Sequence, residues 1–219
     1  MKEKKFAVIL SGCGVFDGSE IHESVLTLLA ISKLGHKYEI FAPNIEQYHV
    51  VNHLNGEIIE GEKRNVLVES ARIARGKIKS LNEYDPTQFD CLVIPGGYGV
   101  AKNLSSFAFD GENMKVLEDV KRSILETHKL KKPIGAWCIA PIVLSKVLGN
   151  VNITLGQINP AVEVALKFGS IHTVTGKKEV LVDKENKIVT TPCYMLDSTI
   201  AEIYEGIEKA IEEMVKLTM

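Results

Sequence analysis

The chain has 219 residues, 45% of them hydrophobic and 25% charged, which excludes a disordered, collagen-like or disulfide-framework chain and leaves ample length for a core. At roughly 150 residues per domain it reads as one domain over 1–219. Lys and Arg number 26 against 28 Asp and Glu, a net charge of −2, which weighs against a nucleic-acid partner.

In chain order, 5–10 is a short apolar run that stops at S-G-C-G and predicts a buried strand. Ser19 is placed to cap a helix whose apolar positions run from Ile21 to Leu34, with Gly35 as its stop. A second strand over 38–42 completes a βαβ unit and implies a parallel sheet. Residues 44–64 are polar and predict irregular structure, followed by a short helix over 66–74. A central strand is expected over 91–94, a helix over 116–128, a strand over 134–137 and a helix over 139–148. Segments 163–168, 179–182 and 187–191 continue the alternation, and a last helix carries apolar residues from Ile200 to Val215 at helical spacing. The pattern is that of a doubly wound α/β fold, flavodoxin-like, with a mostly parallel sheet and helices on both faces. Such sheets bind ligands beyond the carboxyl ends of their strands, so 11–23, 95–104, 138–141 and 191–194 are the segments of interest.

No uncharged stretch approaches the roughly 18 apolar residues of a membrane span. The N-terminal apolar run is too short for a secretory signal. Cys13, Cys91, Cys138 and Cys193 are widely spaced, with neither zinc-site nor disulfide spacing. A reduced, cytoplasmic chain with no metal and no organic cofactor is therefore expected.

The most informative local pattern is I-G-A-W-C-I-A-P. Cys138 directly follows a predicted strand and precedes a predicted helix, with Ala136 and Ala140 two residues away on either side. Small residues at these places are the packing requirement of a nucleophile elbow, and Pro141 suits a first helical turn. A helix N-terminus favours thiolate, so Cys138 is expected to be ionised near neutral pH, and the Ile139 N–H is placed to meet an oxyanion beside the sulfur. The alternative is a structural cysteine at a strand end. V-I-P-G-G-Y-G offers a glycine turn whose free N–H groups suit an anion, or simply a turn. In G-S-E-I-H-E, Glu20 and Glu23 both fall in the first helical turns, where capping and the helix dipole alone would explain carboxylates; a Glu that faces the thiol instead would be able to move protons. His22 reads as a surface or packing residue. Gly12 and Gly14 hint at a dinucleotide site, but Gly18 is misplaced by one for the third glycine.

The run V-I-P-G-G-Y-G-V-A-K-N-L-S followed by P-I-G-A-W-C-I-A-P resembles the ThiJ/PfpI superfamily, which shares the class I glutamine amidotransferase-like fold. S-G-C-G-V-F-D-G-S-E-I-H-E-S-V-L-T-L-L-A-I, N-H-L-N-G-E, R-N-V-L-V-E-S-A-R-I-A-R-G and K-I-V-T-T-P-C-Y-M-L resemble its ElbB branch, the "enhancing lycopene biosynthesis" proteins, nearly end to end. The resemblance implies Cys138 as nucleophile, Glu23 as its carboxylate partner, and Gly97 and Ile139 as the sites of backbone donors. It also implies a glutathione-independent glyoxalase activity, glyoxal to glycolate, an association with isoprenoid accumulation, and a homodimer. Protease-type members carry His where Ile139 stands, and true glutamine amidotransferases carry a His and Glu after the position of Cys193. Both are missing here, which argues against peptidase and glutaminase activity. The stretch I-T-L-G-Q also lacks a His that other glyoxalase members carry.

Two functions follow as expectations. The first is turnover of small dicarbonyls through a Cys138 hemithioacetal. The second is a non-enzymatic redox or metabolic sensor in which Cys138 oxidises and Cys13 either resolves it or merely packs.

Overall fold

In the computed structural model, which describes residues 2–219, the elements that build the main sheet alternate along the chain. Its strands are β1 (Lys5–Ile9), β2 (Lys37–Ala42), β3 (Lys79–Ser80), β4 (Cys91–Ile94), β5 (Ile134–Trp137), β6 (Leu181–Asp183) and β7 (Ile188–Thr191). The main helices are α1 (Ile21–Lys33), α2 (Val66–Ile73), α3 (Glu118–Lys129), α4 (Pro141–Leu148), α5 (Pro160–Lys167) and α6 (Ile200–Leu217). The sheet order is β6-β7-β5-β4-β1-β2-β3, parallel throughout except for the antiparallel edge pair β6–β7. This is the doubly wound α/β fold the pattern implied.

Strands β4 and β5 are buried at every residue, which explains their unbroken apolar sequences: both faces of the sheet are covered. In β1, Ala7 and Ile9 join a core with Ile124, Ile142 and Val162 from α3, α4 and α5. Phe6 and Val8 point the other way, to Ile31 of α1 and Ile207 and Ile211 of α6. The period-two alternation of a strand thus divides the apolar residues between two cores. Chain order reverses between β1 and β4, so the loops after these strands open a crevice at the carboxyl edge.

Several boundaries differ from expectation for local reasons. Helix α1 is capped by Glu20, whose Oε2 accepts the Glu23 N–H at 2.6 Å; the Ser19 hydroxyl is taken by the Ser11 N–H at 2.8 Å instead. Helix α4 begins at Pro141, because residues 139–140 are spent on the turn after β5. Segment 163–168 is the second half of α5, which starts at Pro160 under an Asn159 cap. The polar stretch 44–64 contains an antiparallel pair, Val51–Asn52 with Glu57–Ile58. Buried Asp17 holds it by accepting the Val51 N–H at 2.7 Å, so this strap braces the loop after β1. Strand β3 has two residues, too few to leave a periodic signal.

Candidate active site

Cys138 sits at the end of β5 with a φ of +56°, in the left-handed region that costs a non-glycine residue on the order of 1–3 kcal/mol. Its own N–H is held by the Thr191 carbonyl at 3.1 Å, which fixes the bend against β7. Such a strained strand-to-turn residue is the geometry expected of a nucleophile elbow.

The other residues singled out from the sequence converge on this sulfur. Glu23, fully buried in the first turn of α1, accepts the Gly96 N–H on Oε2 at 3.0 Å and the Tyr194 N–H on Oε1 at 3.2 Å. Its carboxyl faces the thiol, and the N–H groups of Gly97 and Ile139 are directed at the same sulfur. Gly96 explains how the two acids come so close. A Cβ there would lie 2.4 Å from Cys138 Cβ, 2.6 Å from Glu23 Oε2 and 3.1 Å from Cys138 Sγ. Gly97, at φ +103°, runs against the Gly18 carbonyl and the Glu20 N–H, 2.4 and 2.3 Å from where a Cβ would be.

Burial, and then the charge of Glu20, push the Glu23 carboxyl up to about 8, against the smaller pull of its backbone donors. Burial and the Glu23 charge push the Cys138 thiol up as well, and the Gly97 and Ile139 N–H groups offset only part of this. The expectation of a thiolate near neutral pH is therefore corrected. The residue is 8% exposed, and desolvation outweighs the turn's dipoles. At pH 7 the pair is predominantly neutral, and the first proton it loses leaves one charge shared between carboxyl and sulfur.

Other residues were harder to foresee. Cys193, also at positive φ (+44°) and fully buried, follows β7 and lies near both Cys138 and Glu23; burial, Glu23 and Cys138 all raise its thiol pKa. Cys13 is not at the site, since its charged neighbours are Glu69, Arg72, Asp17 and Arg64. His22 is exposed, and its Nδ1 shares a hydrogen bond with the Tyr194 hydroxyl at 2.9 Å. Trp137, next to Cys138, donates its indole N–H to Thr27 at 3.0 Å, tying β5 to the helix that carries Glu23.

A pocket of about 390 Å³ opens above Cys138, with Glu20, Gly97, Ile139 and Tyr194 among its walls. Larger hollows occur elsewhere, one of about 700 Å³ beside β2 and β3, but Cys138 lines none of them. Among the described residues no group of three or more His, Cys, Asp or Glu is placed to hold a metal ion, and no helix is long and apolar enough to cross a membrane.

A sequence profile of the DJ-1/PfpI family matches residues 14–193, four-fifths of the chain and all of the site except Tyr194 and Met195. The chain belongs to the DJ-1/PfpI family. A rat relative, the ES1 protein homolog, mitochondrial, is 44% identical over 98% of this chain and 84% of its own length. A crystal structure from Ehrlichia chaffeensis, of an isoprenoid biosynthesis protein with amidotransferase-like domain, superposes with a TM-score of 0.90 at 41% identity, covering 97% of this chain and 99% of that one. Glyoxalase III of Candida albicans shares the fold, with a TM-score of 0.60 at 14% identity over 96% and 97% of the two chains. The cytoplasmic assignment made above is also corrected, because the curated relatives are mitochondrial by name. That assignment rested on unpaired cysteines, which report a reducing environment and not a particular compartment.

Proposed function

We propose that this DJ-1/PfpI protein converts small 2-oxoaldehydes to hydroxy acids, glyoxal to glycolate in the simplest case, through a cysteine adduct. The observation that carries this reading is the contact of Glu23 with Cys138 on a strained elbow, under two inward N–H groups and open to one pocket.

In the singly charged pair, the Cys138 thiolate adds to the aldehyde carbon, the carbonyl oxygen takes the proton held by Glu23, and a hemithioacetal forms beside the Glu23 carboxylate. The oxygen that gains charge is carried by the carbon now bonded to sulfur, within reach of the Gly97 and Ile139 N–H groups. Glu23, as carboxylate, takes the proton from the carbon bonded to sulfur and returns it to the neighbouring carbon through an enediol. The result is a thioester of the hydroxy acid. Water cleaves it, releasing the acid and restoring the thiol. The Ehrlichia relative's name supports placing this chain in isoprenoid metabolism as well.

The test is glycolate formation from glyoxal. Cys138→Ser is expected to abolish it, and Glu23→Gln to lower kcat by about a hundredfold or more, as for a lost general acid–base. Full activity in Cys138→Ser would end this reading. Selective oxidation of Cys138 by peroxide, with no dicarbonyl turnover, would favour the sensor instead. Burial of the sulfur disfavours that outcome, because a neutral thiol reacts slowly with peroxide.

A further inference from the structure

We propose that the pocket above Cys138 selects neutral carbonyl compounds bearing an apolar substituent, and that Glu20 is the residue that turns anions away. This rests on the reading of the site as a carbonyl-processing thiol and adds the class of molecule it takes. Size is the first argument. A volume of about 390 Å³ holds on the order of ten waters, far more than a four-heavy-atom dicarbonyl displaces. It lies within the roughly 300–1,000 Å³ of sites that enclose larger organic ligands.

The walls are the second argument. Val15, Ala101, Phe107, Ile139, Pro160 and Met195 bring hydrocarbon from six separate segments of the chain. A substituent beyond the reacting carbonyl would therefore be buried against apolar surface, which favours each added methylene.

Charge is the third. Among the described residues no lysine or arginine lines the pocket, and Glu20 does. Its position is fixed by the cap it forms, Oε2 receiving the Glu23 N–H at 2.6 Å, and the residue is only 8% exposed. Its Oε1 carries no hydrogen bond from the described residues, so it is free to accept one from a neutral hydroxyl. A carboxylate or phosphate entering here would lose its hydration with no cation to replace it, and would meet a like charge.

The experiment measures covalent labelling of Cys138 by mass spectrometry, beside turnover of a 2-oxoaldehyde series from glyoxal through methylglyoxal to longer alkyl homologues. At pH 8.5, the rate ratio of iodoacetamide to iodoacetate is expected to exceed that of glutathione about tenfold or more, as like-charge repulsion in a water-poor site predicts. Glu20→Gln, which keeps an oxygen for the cap, is expected to bring the ratio back towards the glutathione value. N-alkylmaleimides are expected to label faster as the chain lengthens, approaching fourfold per methylene while the pocket still has room. A ratio equal to that of glutathione, or rates flat with chain length, would overturn the proposal even if glyoxal is turned over. The reverse result, strong labelling selectivity without turnover, would overturn the proposed reaction and leave the selectivity standing. If Glu20→Gln does not fold, the wild-type ratio and chain-length series still decide.

Discussion

The carboxyl of Glu23 has two oxygens, each accepting one backbone N–H, and a thiol as its third neighbour. Burial holds its proton up to about 8, so the pair acquires its charge above the range where free carboxyls ionise. Labelling of Cys138 by iodoacetamide should therefore rise by about tenfold per pH unit between 6 and 8, then level off. A rate already flat across that interval would mean a thiolate at neutral pH, as the helix-terminus argument alone predicts. Sequence reasoning identified the thiol and the acid, because small residues around Cys138 and a carboxylate in a first helical turn leave local marks. It missed the direction of the titration. Desolvation is a property of the assembled core, and Tyr194, which supplies one donor to Glu23, is 171 residues away.

At the scale of elements, the site is made where four strand ends meet: the loops after β1 and β4, the elbow after β5 and the turn after β7. Most of these elements are legible in the sequence, since β4 and β5 are unbroken apolar runs closed by Pro95-Gly96-Gly97 and by Cys138. The Gly-Gly pair reads as an oxyanion turn or a plain one. The structure adds a steric duty at Gly96, where the β4 loop passes against both the Cys138 and the Glu23 side chains. Gly96→Ala has no strained φ to blame, only contact: its methyl would sit 2.4 Å from Cys138 Cβ, so the elbow or α1 must move. Overpacking of this kind is expected to destabilise by about 1–3 kcal/mol. Displacement of the reacting atoms by an ångström should lower kcat/KM about a hundredfold. Denaturant midpoints and turnover measured together check both, and an active, fully stable Gly96→Ala protein would contradict the geometry. The short strap pair was not legible, because two-residue strands carry no period, and the cap position fell to Glu20 where Ser19 was expected.

For the whole molecule, the buried acid links folding to pH. An unfolded Glu titrates near 4.5 and the folded one at about 8, so between these values the native state binds the extra proton. Stability from this group is complete below 4.5 and is lost as pH rises through about 8, with a slope of at most about 1.4 kcal/mol per unit. Urea titrations of wild type and Glu23→Gln from pH 5 to 9 should show the wild type losing stability relative to the variant as pH rises; parallel curves would contradict the raised value. Overall topology was the most legible level, because alternating strands and helices permit few arrangements. That topology already brought segment 191–194 to the site, though not the Tyr194 N–H that Glu23 accepts. Trp137 is the chain's single tryptophan. Its ring is bonded to α1, and its backbone leads directly into Cys138. The molecule thus holds a single indole, set between Glu23 and Cys138, and chemical modification of the thiol can be followed by tryptophan emission without any attached dye.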